Sequence, residues 1–258
     1  IEQMAAVKLN KLHLHLAEDE AWRLEIPGLE ELTELSSKRC MDLSEKSCLS
    51  PQLGGADSPH RDGYISTKEY VDIVKYADAH HIEVIPSLDM PGHSRAAVKA
   101  MEARYHKFMQ KENPAEAERY LLSDLADETK YRSIQHYSDN TINVCMESSY
   151  SFFDKVIKEI KLMHEEAGQP LELYHIGADE TAGAWIESPA CKALLADRSN
   201  NIDDLKHLSA NFIERVSHIL NNQGIGVAGW NDGMGETHPE NMPENTWSYI
   251  WASVPGGA

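Results

Sequence analysis

Asp179 and Glu180 close the run LYHIGADET at 173–181. Two adjacent carboxylates directly after an apolar stretch stand where a strand passes into a loop. A buried strand end does not carry unpaired carboxylates, because removing an ion from water is costly. Neighbouring like charges push one pKa upward, so one group can hold a proton near neutrality while the other stays ionised. That division suits cleavage of a glycosidic bond, where one group protonates the leaving oxygen and another stabilises positive charge on the sugar. Standing alone, the pair reads more simply as two solvated loop acids.

The elements around it decide between the two readings. Short apolar runs alternate with amphipathic segments, the pattern of a parallel sheet built from β/α units. Strands are predicted at 11–17, 82–89, 171–178, 225–231 and 245–251. Helices are predicted at 67–81, behind a Ser66/Thr67 cap with Glu69, at 94–111, at 149–167, ended by Gly168 and Pro170, and at 203–222, ended by Gly224. Two long irregular stretches, 27–65 and 112–148, interrupt the rhythm, and long loops in such folds are often functional.

Active residues of α/β folds gather at the carboxyl ends of the strands. The predicted ends carry Glu18, Asp19, Glu20 and Trp22; Asp89 and His93; Asp179 and Glu180; Trp230, Asn231 and Asp232; and Trp247 and Trp251. Acids, a histidine and tryptophans on one rim make a carbohydrate site, with indole faces against sugar C–H surfaces and carboxylates on hydroxyls. His13 and His15 alternate with leucines and read as hydrogen-bonded residues of a barrel core. His80 and His81 sit at a helix end and have no catalytic part. Trp251 reads either as rim or as core.

The chain has 258 residues, 41% of them hydrophobic, which suffices for one large domain, and no linker or repeat divides it. Its 24 basic and 42 acidic residues leave a net charge of −18, which speaks against nucleic acid or an anionic membrane as partner and for a neutral or cationic ligand. No stretch approaches the ~20 apolar residues of a membrane span, and no signal peptide opens the chain. The opening IEQMAAVKLN lacks an initiator Met and reads as the end of a helix running into a strand, so an excised piece of a longer protein is expected. Cys40, Cys48, Cys145 and Cys191 form an even set without CxxC spacing, open to pairing or to buried thiols. No cofactor or metal is expected. Magnesium held by the strand-end acids is a competing reading, against which the tryptophan-rich rim speaks.

The segments KLNKLHLHLAEDEAWRLEIPGL (8–29), IEVIPSLDMPGHSRAA (82–97), HEEAGQPLELYHIGADE (164–180) and GWNDG (229–233) resemble the catalytic domain of family 20 glycoside hydrolases, the β-N-acetylhexosaminidases, and among them bacterial chitobiases. The resemblance spans nearly the whole chain. It implies a (β/α)8 TIM barrel, here an incomplete one covering about strands two to six, with residues 1–258 as part of one catalytic domain. It implies Glu180 as general acid and Asp179 as the group that orients the substrate's own 2-acetamido substituent, whose oxygen attacks the anomeric carbon to give an oxazolinium ion with net retention. His93 resembles the histidine coupled to the general acid, and Asp89 a member of its network. Trp230 and Trp247 resemble walls of the N-acetylglucosamine pocket, with Asp232 beside them.

The family commonly reads Asp-Asp where this chain has Glu18-Asp19, so either acid is a candidate for supporting His93. Further family site residues would lie before Ile1 and beyond Ala258. An open sheet of this kind is expected to be poorly stable or to pair with another copy. The resemblance pairs Cys40 with Cys48 and Cys145 with Cys191, which implies a periplasmic, cell-surface or secreted bacterial protein. The substrates implied are chitobiose and other oligosaccharides ending in N-acetylglucosamine. The alternative is a non-catalytic N-acetylglucosamine-binding barrel fragment, for which a retained proton donor has no use.

Overall fold

The computed structural model describes residues 1–52, 62–181, 183–197, 202 and 204–251. The loop predicted at 27–65, the start of the helix predicted at 203–222 and the last seven positions of the predicted domain lie partly or wholly outside them. Six strands form one sheet: β1 (Lys11–Glu18), β2 (Ala21–Trp22), β3 (Glu83–Met90), β4 (Leu173–Gly177), β5 (Gly226–Trp230) and β6 (Thr246–Tyr249). Their order is β2-β1-β3-β4-β5-β6. All pairings are parallel except the short β1–β2 turnback, which has no period-two pattern long enough to read from sequence. The five parallel strands are the five predicted ones. Among the described residues the sheet stays open, with β2 and β6 at its edges.

Helices cover the outer face, and each starts and stops for a local reason. Thr67–Asp78 begins with a reciprocal Ser66–Glu69 capping box and buries Tyr70, Val71, Val74 and Ala77. Glu147–Ala167 ends at Gly168 in the left-handed conformation, φ 83°. Arg95–Met109 and Leu205–Asn221 complete the set of long helices. An eight-residue helix at Pro189–Ala196, capped by Ser188, is too short to declare itself by periodicity. With helices outside and the opposite face turned inward, β4 is buried at every position. The main core lies between strands and helices, while a small inner cluster of Ile85, Leu173 and Ala228, with Tyr249 packed against it, lines the concave side.

Two disulfides, Cys40–Cys48 and Cys145–Cys191, staple the long loops. The second ties the start of helix Glu147–Ala167 to helix Pro189–Ala196 across 46 residues of chain. Closing a loop of that length removes about 4 kcal/mol of unfolded-chain entropy. Cys145→Ser together with Cys191→Ser is therefore expected to lower unfolding stability by roughly 2–4 kcal/mol. A urea midpoint equal to that of the unaltered chain would show that the bridge contributes nothing.

Candidate active site

Two irregularities in strand pairing bring the site together. His15 pairs with Ser87 but Ala17 with Leu88, so β1 spends two residues against one of β3. This bulge reverses the facing of everything beyond it. His13 and His15 face the concave side, and past the bulge Glu18 faces that side as well. Between β3 and β4 the register slips again, from Ser87↔His175 to Met90↔Gly177. Asp89 then lies across Gly177, where an added Cβ would be 2.2 Å from Asp89 Oδ1. Gly177 also holds φ +73°, a conformation that glycine adopts freely. Gly177→Ala is expected to cost roughly 1–3 kcal/mol of stability. An unchanged thermal midpoint would contradict that tight approach.

The loop after β4 is seated as closely. A Cβ on Gly233 would lie 1.6 Å from the Ala178 carbonyl oxygen, so only glycine lets the turn after β5 support the backbone leading into Asp179 and Glu180. The Glu180 backbone N–H donates to Asp232 Oδ2 at 3.4 Å.

His93 is the hub. It is buried, with Nδ1 3.5 Å from both Glu18 Oε2 and Asp19 Oδ2, and Nε2 3.3 Å from Glu180 Oε2 and 3.6 Å from Asp179 Oδ2. Burial alone would lower the pKa of this imidazole. Hydrogen bonds to Asp19 and Glu18 and the charges of Glu18 and Asp179 overcome it and raise the value to about 11. Glu18 and Asp19 therefore share the support of His93, in different ways. Asp19 is held rigidly, accepting from the Arg95 backbone N–H at 3.2 Å and from Asn140 Nδ2 at 3.1 Å. Arg95 in turn pairs with Glu45 and Asp139, tying both long loops around this acid. Glu18 reaches a second imidazole, with His15 Nε2 3.4 Å from Oε1. Burial would raise the Glu18 carboxyl, but hydrogen bonds from His15 and His93 hold it down at about 2.

Burial pushes Asp179 up to about 6, Asp232 and Glu180 add to the rise, and the His93 charge opposes it. Burial likewise pushes Asp89 up to about 8. Asp89 Oδ1 and Asp179 Oδ1 are buried without a hydrogen-bond partner among the described residues. A cavity of about 580 Å³ opens over these groups, lined by His15, Glu18, Asp89, His93, Asp179 and Glu180 on its acidic side and by Trp230 and Trp251.

Two placements differ from the sequence reading, and a third settles an open one. His15 is not a core residue: it is 39% exposed at its side chain and lines the cavity. Trp247 does not wall the cavity. It lies on the same face of β6 as Tyr249 but two residues nearer the amino end, exposed, with its indole N–H on Asn245 Oδ1. Trp251 takes that place, because β6 ends at Tyr249 and the chain turns so that the Trp251 indole N–H donates to Asp232 Oδ1 at 3.0 Å. The floor is aromatic: His175 stands 4.5 Å from His13, 4.6 Å from Trp230 and 4.9 Å from Tyr249, centroid to centroid. One further site residue, Gln135, donates to Glu180 Oε2 at 2.9 Å from within the 112–148 loop. A loop of that length is a signal, but no local pattern singles out this glutamine.

His15, Glu18 and Asp89, and separately Glu18, Asp19 and His93, have ligand atoms near enough to share a divalent cation. A cation in either place would have to displace an imidazole proton that faces Glu18.

The profile of glycosyl hydrolase family 20, catalytic domain, matches residues 1–257. The chain is 56% identical over 250 residues to beta-hexosaminidase B of Pseudoalteromonas piscicida, covering 96% of this chain and 32% of that protein. It is 44% identical to N,N'-diacetylchitobiase of Vibrio harveyi, covering 97% of this chain and 32% of that protein. A crystal structure of a GH20 exo beta-N-acetylglucosaminidase from Vibrio harveyi in complex with N-acetylglucosamine superposes with a TM-score of 0.80 at 34% identity, covering 98% of this chain and 35% of the other. The chain thus spans about a third of the length of these relatives.

Proposed function

The chain belongs to glycosyl hydrolase family 20, and from that premise we propose that it supplies catalytic groups of an enzyme removing terminal N-acetyl-β-D-hexosamine from chitobiose and related oligosaccharides. The observation that carries this reading is the unpartnered, buried Oδ1 of Asp179 beside Glu180 at the edge of the cavity. A carboxylate in that state is an acceptor awaiting a donor, and the N–H of a 2-acetamido group is one. Held by Asp179, the acetamido oxygen attacks the anomeric carbon. The C1–O bond breaks, and the departing oxygen takes the proton of Glu180. Water, deprotonated by Glu180, then opens the oxazolinium ion at the same carbon, which retains the configuration. His93 faces both acids and stabilises whichever of them is ionised. Trp230 and Trp251 offer faces for the sugar ring.

The two disulfides support a periplasmic, cell-surface or secreted setting. No helix of the described residues is long and apolar enough to cross a membrane. A purely sugar-binding role has no use for a proton donor beside an acetamido clamp.

Hydrolysis of an aryl N-acetyl-β-glucosaminide tests the proposal. Because Asp179 must be ionised to accept the N–H, kcat/KM is expected to fall as pH drops through about 6. Protonation below that value removes the acceptor, and ionisation above it restores it. A profile flat down to the ordinary aspartate range would contradict this assignment.

A further inference from the structure

The mechanism uses His93 but leaves a second, equally well-placed imidazole unassigned. His15 lies on β1, three residues before Glu18, and the bulge between His15 and Ala17 puts both on the concave face. Its Nε2 is 3.4 Å from Glu18 Oε1, while the other oxygen of that carboxylate, Oε2, is 3.5 Å from His93 Nδ1. Glu18 is thus gripped from both sides. On the far side of the ring, His15 Nδ1 is 3.3 Å from Ser87 Oγ, and Ser87 Oγ is 3.3 Å from His175 Nδ1. His175 Nδ1 accepts the Gly177 backbone N–H at 3.1 Å, so it carries no proton of its own.

One arrangement of protons satisfies all of these contacts at once. Ser87 has one hydroxyl proton and lies between two imidazole nitrogens. In it the hydroxyl donates to His175 Nδ1, sharing that lone pair with the Gly177 N–H, and accepts from His15 Nδ1. With its other nitrogen on a carboxylate, His15 donates from both sides. Asp89 Oδ1 lies 3.9 Å from His15 Nδ1, beyond hydrogen-bond reach, and favours the charged ring only when Asp89 is itself ionised.

We propose that His15 is a positioning residue of the catalytic relay, held as a two-sided donor by Ser87 and His175, which aims Glu18 at His93 and so sets His93 against the general acid Glu180. The inference rests on the glycosidase reading for its catalytic meaning, but the hydrogen-bond chain itself does not. The Glu18 side chain is long enough to span the two imidazoles, one oxygen toward each. The groups facing His15 are His13 and Glu18 from its own strand, Asp89 from β3, and His175 and Asp179 from β4 and the loop after it. The hydrogen bond to Glu18 and the charges of Asp89, Glu18 and Asp179 raise the His15 pKa against the effect of burial.

Two measurements on the 258-residue chain test this. In ¹⁵N-histidine NMR at neutral pH, His15, assigned by its loss in His15→Gln, is expected as an imidazolium. In Ser87→Ala it is expected to lose its proton at lower pH. A neutral His15, or a titration untouched by Ser87→Ala, would overturn the chain of contacts. In kinetics, His15→Leu is expected to lose on the order of tenfold more activity on a poor leaving group than on an activated aryl glycoside, because it acts through the acid. His15→Gln, which keeps a neutral donor, is expected to recover part of that difference and guards against a folding defect in the leucine variant. Equal losses on both substrates would overturn the positioning role. If the unaltered chain gives no turnover at all, the result counts against the glycosidase reading, and the NMR outcome still decides the contacts.

Discussion

Replacing Glu180 by Gln is expected to lower kcat by about 10²–10⁴-fold on N-acetylglucosaminides with poor leaving groups, and by far less on aryl glycosides whose phenolate departs unaided. The substitution keeps the shape of the side chain and an oxygen to accept from Gln135, 2.9 Å from Glu180 Oε2. What it removes is the proton. Only substrates that need protonation of the departing oxygen feel that loss fully, so the slope of rate against leaving-group pKa becomes steeper. An equal loss across leaving groups would mean that Glu180 acts on binding or structure and not as the acid.

Asp179→Asn has a different signature. In the proposed mechanism the carboxylate accepts an acetamide N–H and balances positive charge as the ring closes. An amide in its place keeps the volume but halves the acceptor capacity and brings N–H groups toward another N–H. Loss of one preorganised electrostatic contact of this kind costs about 10²–10³-fold in kcat. The loss is expected to be the same for good and poor leaving groups, since the acetamido attack is common to all of them. The variant also removes a carboxylate 3.6 Å from the buried His93 imidazole, so the His93 pKa is expected to fall. A variant with unchanged kcat and raised KM would show that Asp179 only binds.

The chemistry of this site was legible where it followed strand ends. Apolar and alternating runs bounded by acids and tryptophans located all five parallel strands; β4, buried on both faces, must be apolar and its end need not be. Glu18, Asp19, Asp89, His93, Asp179 and Glu180 then fell on one rim. The departures come from features without a compositional mark. A bulge adds a residue without announcing it, so strict alternation could not show that His15 and Glu18 share a face. The end of β6 two residues before Trp251 decides which of two tryptophans meets the cavity, and boundaries of that fineness are not readable from a short run such as NTWSYIW. Gln135 reaches Glu180 from a position 45 residues away along the chain, a contact that only the folded loop creates.

The central claim is that the substrate's own acetamido oxygen, held by Asp179, is the nucleophile. The most direct measurement compares hydrolysis of aryl 2-deoxy-β-glucosides carrying 2-acetamido, 2-fluoroacetamido and 2-trifluoroacetamido groups. Fluorine withdraws electrons from the amide oxygen and weakens it as a nucleophile, so the account predicts a steep fall in kcat along the series. Rates independent of fluorination would contradict it.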